Sequence, residues 1–156
     1  MKKSQKAAYI LLQWSWGLVQ SLLGLGLLVL YRRCRRRWMG GALAVFHDGK
    51  WGGVSLGMFL FVPEGLDKEK ETRLLMHEYG HSRQSLLLGP LYLPLVGLPS
   101  FLWANLPALV RYRRRRGIGY YDRYPENWAD RLGQKYGEKA AKALDSGQNR
   151  RYNVHA

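Results

Sequence analysis

Charge is missing from two long stretches of this chain. Residues 7–31 and 86–110 hold no Asp, Glu, Lys or Arg. Cysteine is nearly absent: Cys34 stands alone. A single thiol excludes an internal disulfide and suits a reducing compartment. Acidic residues are scarce, 11 against 25 Lys and Arg, which gives a net charge of +14. No internal repeat is evident, and 156 residues predict one domain.

The first uncharged stretch predicts a membrane helix. Residues 7–31 as one helix would reach about 37 Å, enough to span a bilayer with some tilt. Trp14 and Trp16 lie near one end and Tyr31 at the other, as interfacial anchors do. The stretch is too long for a cleaved signal peptide, and Tyr31-Arg32-Arg33 is no small-residue cleavage site. Gln13, Ser15, Gln20 and Ser21 suggest that one face meets another helix. Lys2, Lys3 and Lys6 precede the stretch, and Arg32, Arg33, Arg35, Arg36 and Arg37 follow it. The larger basic cluster places residues 32 onward in the cytoplasm. An Arg cluster abutting an apolar helix fits anionic headgroups better than nucleic acid.

Among the charged residues, His77-Glu78-Tyr79-Gly80-His81 stands out. On a helix, two histidines four apart share a face and can bind one Zn²⁺. Glu78 then lies where it can accept a proton from an activated water. Asp67 can cap this helix, and no proline interrupts it before Pro90, which predicts a metal helix over 68–88. A catalytic site needs a third protein ligand and an open position. Tyr124-Pro125-Glu126-Asn127-Trp128-Ala129-Asp130 supplies a candidate. Pro125 suits the first turn of a helix over 125–144. Glu126 and Asp130 are four apart, so Glu126 could bind the metal while Asp130 orients a histidine. The bland reading is that acids near a helix start complement its dipole. That reading is weaker for a pair in so acid-poor a chain.

His-Glu-x-x-His followed by Glu-x-x-x-Asp resembles the gluzincin pattern, of which thermolysin is a soluble member. The Glu126-x-x-Ala129-Asp130 form, with hydrophobic segments between the motifs, looks more like the integral-membrane peptidases of the CAAX-prenyl-protease and HtpX type. The match covers roughly residues 70–133. The resemblance implies that His77, His81 and Glu126 are zinc ligands, Glu78 is the general base, and Asp130 supports a ligand.

The remaining segments follow from turn chemistry and geometry. Residues 42–62 predict two strands joined at Asp48-Gly49, a hairpin signal. A strand beside the metal helix could pair with an extended substrate, and Gly52, Gly53 and Gly57 would let a backbone approach. His47 predicts a turn or surface histidine rather than a ligand. Pro90, Pro94, Pro99 and Pro107 argue against a straight span over 86–110. Both metal motifs must also lie on one side of the membrane. The block therefore predicts a re-entrant hairpin, covered by the first helix or by a second copy of the chain in a homo-oligomer. Arg111 and Arg113 to Arg116 form a second basic collar. The loop that follows brings Tyr120, Tyr121, Arg123 and Tyr124 as candidate oxyanion or substrate contacts, or as an aromatic interface belt. Gly133 and Gly137 are expected to loosen the last helix, and residues 146–156, which include His155, to be a disordered tail.

The expected architecture is α+β and mostly helical: one transmembrane helix, a small β-hairpin, a zincin-like metal helix, a re-entrant segment and a C-terminal helix. The expected function is a zinc-dependent metallopeptidase of the cell membrane. Its active side would face the cytoplasm, and its substrates would be peptides or membrane-associated proteins. The competing class is a non-catalytic membrane scaffold retaining a zinc site. A structural site normally has four protein ligands, and no fourth is apparent. Nucleic-acid binding would explain the charge but neither the uncharged blocks nor His-Glu-x-x-His.

Overall fold

A computed structural model describes residues 2–145, and the expected tail at 146–156 lies outside them. Residues 7–31 do not form one helix, contrary to the sequence expectation. They divide into α1 (Lys3–Ser15) and α2 (Leu18–Leu30), bent by 95°. The break falls at Trp16 and Gly17, where the Gly17 amide reaches back to the Leu12 carbonyl at 3.0 Å. Buried Gln13, Gln20 and Ser21 surround it. No single described helix is long and apolar enough to cross a membrane.

Four strands follow: β1 (Arg35–Met39), β2 (Ala42–His47), β3 (Val54–Leu56) and β4 (Phe59–Pro63), in the order β1-β2-β4-β3. Hairpins close at Gly40-Gly41 and Gly57-Met58, where positive φ at Gly40, Gly41 and Gly57 permits two-residue turns. The expected hairpin at Asp48-Gly49 is absent. Gly49 takes no positive φ, and β2 and β4 run parallel, with Leu43 opposite Phe59 and Phe46 opposite Val62. The 48–53 connection instead carries the chain past β4 to β3 at the edge. Arg35 to Arg37 belong to β1. Arg35 pairs with Glu64 at 3.4 Å and Glu71 at 3.3 Å, and stacks on Phe46.

The core lies between this sheet and α3 (Lys68–Leu88), where Met39, Phe46, Leu60, Phe61 and Tyr79 are fully buried. Asp67 caps α3 by accepting from the Lys70 amide at 2.9 Å, as expected. The second uncharged block is broken. A 3₁₀ turn (Gly89–Leu91) and a π turn (Leu93–Gly97) lead to α4 (Leu98–Asn105) and α5 (Pro107–Arg116). Each proline occupies the first turn of a segment, where its missing N–H costs nothing. The chain returns through a 3₁₀ turn (Tyr120–Asp122) to α6 (Glu126–Asp145), which packs along α3.

Candidate metal centre

The α3–α6 contact creates the site. Gly80 is packed against the Ala129 carbonyl and Gly133 against the Met76 carbonyl, leaving no room for a Cβ on either glycine. Gly137 faces Met76 and Tyr79 in the same row. These glycines therefore do not loosen α6; they let two helix backbones touch. His77 and His81 leave α3 beside this contact, and Glu126 and Asp130 leave α6 opposite them.

Three candidate ligand atoms converge there. Glu126 Oε2 lies 3.0 Å from His77 Nε2 and 3.3 Å from His81 Nε2. The other imidazole nitrogens are both held. His77 Nδ1 is 2.7 Å from Asp130 Oδ1, and His81 Nδ1 is 2.7 Å from Gln84 Oε1. With Nδ1–H donating outward, each Nε2 can turn its lone pair to a cation, once the His77 proton is displaced. Gln84 in turn donates to the Pro125 carbonyl at 3.1 Å, which ties the start of α6 to α3. Sequence reasoning missed Gln84. Its spacing of three from His81 and its polarity on the buried face were the available signals.

The donor set fits a cation. Ligand atoms on a tetrahedral centre with bonds near 2.0–2.1 Å lie about 3.3 Å apart, and the observed separations are 3.0 and 3.3 Å. His77, His81 and Glu126 are all buried, and together they could hold a metal ion. Glu126 Oε1 and Glu78 Oε2 are buried with no hydrogen-bond partner, so the cluster is rich in acceptors. Burial opposes charge on His77, but bonds to Asp130 and Glu126 outweigh it and raise its pKa to about 10. Burial likewise opposes charge on Glu126, yet His77 and His81 hold its carboxyl well below the usual range. Burial pushes Glu78 up, against the opposing pull of His81 and His77.

Glu78 projects beside the cluster toward the 48–53 connection. Its Oε1 occupies the space a Cβ on Gly53 would need. Gly53, Val54 and Ser55 lead into the edge strand β3, and with His77, Glu78 and His81 they line a cavity of about 940 Å³. Tyr120 and Tyr121 stand in its wall. The Tyr121 ring meets His77 edge-on at 4.8 Å, and burial raises the Tyr120 phenol. Arg123 and Tyr124 are not brought to the cavity. Arg123 is exposed, and Tyr124 donates to the Leu95 carbonyl while stacking on Trp128. His47, expected at a turn or at the surface, is instead the last residue of β2 and fully buried. It is stacked on Trp51 at 3.6 Å with Nδ1 accepting from the Gly49 amide. Ser100 also lines the cavity, from a block that sequence reasoning treated only as membrane.

No protein-family model, curated protein or solved structure matches this chain.

Proposed function

We propose that this protein is a membrane-associated zinc metallopeptidase of the gluzincin kind. One observation carries the reading: two imidazole Nε2 atoms and a Glu126 oxygen converge beside the buried Glu78, whose Oε2 has no hydrogen-bond partner among the described residues, in the wall of a cavity. His77, His81 and Glu126 would hold the metal, and three protein ligands leave a position open. Zinc bound there would polarise a scissile carbonyl and bring the pKa of its water toward ~7.

The remaining chemistry belongs to the chain. Glu78 accepts the proton of the attacking water and passes it to the leaving amine, so the C–N bond breaks without net proton consumption by the enzyme. Asp130 and Gln84 keep the imidazoles in one tautomer and one orientation. Tyr120 or Tyr121 donates to the oxyanion that develops at the carbonyl. β3 is an edge strand next to Glu78, where an extended peptide could pair beside the Ser55 carbonyl that Tyr92 already holds at 3.2 Å. The bent apolar helices and their flanking arginines support a lipid setting, with the metal side toward the cytoplasm.

Metal content and turnover of a peptide library by detergent-purified protein test the reading. Glu78→Gln should keep zinc and lose turnover by about a hundredfold or more. A Gln variant as active as wild type would contradict the mechanism.

A further inference from the structure

The first apolar block is a V rather than a rod. α1 and α2 are each about 20 Å long, and they meet with a bend of 95°. Such a V is about 15 Å deep, half of a hydrocarbon core of ~30 Å. Its apex is apolar and open: Trp16 is 52% exposed and Val19 53%. Both tips are basic and exposed, Lys2, Lys3 and Lys6 on one arm and Arg32 and Arg33 on the other.

Buried glutamines on both arms tie the bent pair to α3 and Gly89. Gln13 donates to the Ser82 carbonyl at 3.0 Å. Gln20 donates to Ser85 Oγ at 2.8 Å and to the Gly89 carbonyl at 3.0 Å. Straightening the pair into a span would strip these partners and turn two glutamines toward hydrocarbon, which costs several kcal/mol per unsatisfied group.

The second block starts where the first bends. Gly89 is packed against the Trp16 ring, and exposed Leu87, Leu91, Leu98 and Phe101 extend the apolar surface. This block bends by 72° between Leu93–Asn105 and Pro107–Arg116. It too ends in exposed arginines, Arg111, Arg114, Arg115 and Arg116.

We propose that both apolar blocks dip into one leaflet of a bilayer from the same side, and that neither crosses it. Acyl chains cover the apex and the leucines, and lipid phosphates meet the Lys and Arg tips. With a single span, the N-terminal lysines would face away from every arginine cluster. With one-leaflet insertion all the basic tips share a side, which satisfies the positive-inside preference without conflict. This inference rests on the membrane part of the reading above and is independent of the metal chemistry.

Full-length protein in bacterial cells tests it, with single cysteines at Ser4 or Lys50 in a Cys34→Ser background. Both positions are exposed and outside the site. A membrane-impermeant maleimide is applied before and after permeabilisation. Both positions should be shielded in intact cells and both labelled afterwards. Labelling of one alone in intact cells would overturn the proposal, because the first block would then cross. Lys6→Cys replaces Ser4→Cys should that variant not accumulate. The protein should also stay in the membrane pellet after a high-salt wash. Recovery in the soluble fraction without detergent would overturn membrane docking itself, while zinc content and Glu78-dependent turnover, read on the same material, would still report on the peptidase reading.

Discussion

Gly80 in α3 lies directly against the Ala129 carbonyl of α6, with no space between them for a methyl group. This contact sets the distance between the two helices and so between His77 and Glu126. Gly80→Ala should therefore act on stability and metal together. The obstruction is backbone, which cannot swing aside. The cost is expected at about 3 kcal/mol or more, the upper end for overpacking. Thermal unfolding in detergent measures the first effect and zinc titration the second. A variant with wild-type melting and wild-type affinity would show that the helices are not held at this spacing.

Asp130 and Gln84 bond the outward nitrogens of the two histidines at 2.7 Å each. Removing either leaves a ligand in place but free to rotate or change tautomer. Asp130→Ala and Gln84→Ala should each weaken zinc affinity about 10- to 100-fold. Competition with a chelator of known affinity reads the change. Arg123→Ala, on the exposed loop, is the matched control and should leave affinity unchanged.

Much of this site was legible in the sequence, because helical spacing dictates which side chains share a face. His77 and His81 are one turn apart on α3, and Glu126 and Asp130 one turn apart on α6, as their spacing of four requires. The extent of α3 and its Asp67 cap were equally readable. What spacing could not show was long-range contact. The bend in residues 7–31 depends on Gln13 and Gln20 meeting Ser82 and Ser85, some 65 or more positions away. The Asp48-Gly49 turn signal was outweighed by Gly40-Gly41 and Gly57, whose positive φ closes the actual hairpins. Gly133 and Gly137 read locally as helix weakeners and act globally as contact surface. Tyr120 and Tyr124 have the same local chemistry, and only the fold turns one into the cavity and the other onto Leu95.

The metal-free protein should respond to pH through His77. Its pKa is raised from 6.5 to about 10, against burial, by Asp130 and Glu126. A folded-state pKa above the unfolded value means that the charged imidazole stabilises the fold. That contribution is complete below about 6.5 and is lost as pH rises toward 10. Glu126 has the opposite sign: its depressed pKa stabilises above the ordinary carboxylate range and fails as pH falls below it. Stability of the chelator-treated protein should therefore decline between pH 6.5 and 10. Zinc affinity should rise over the same interval, because binding displaces the His77 proton. Denaturant unfolding of the chelated protein across that range is the check; a flat or rising profile would contradict the His77–Asp130–Glu126 coupling.

Elemental analysis of purified wild-type and Glu126→Ala protein shows whether α6 supplies a metal ligand. One zinc per wild-type chain is expected, with a sharp loss in the variant, because Glu126 Oε2 is the atom both imidazoles face. Stoichiometric zinc retained by Glu126→Ala would contradict this and remove the α6 carboxylate from the metal centre.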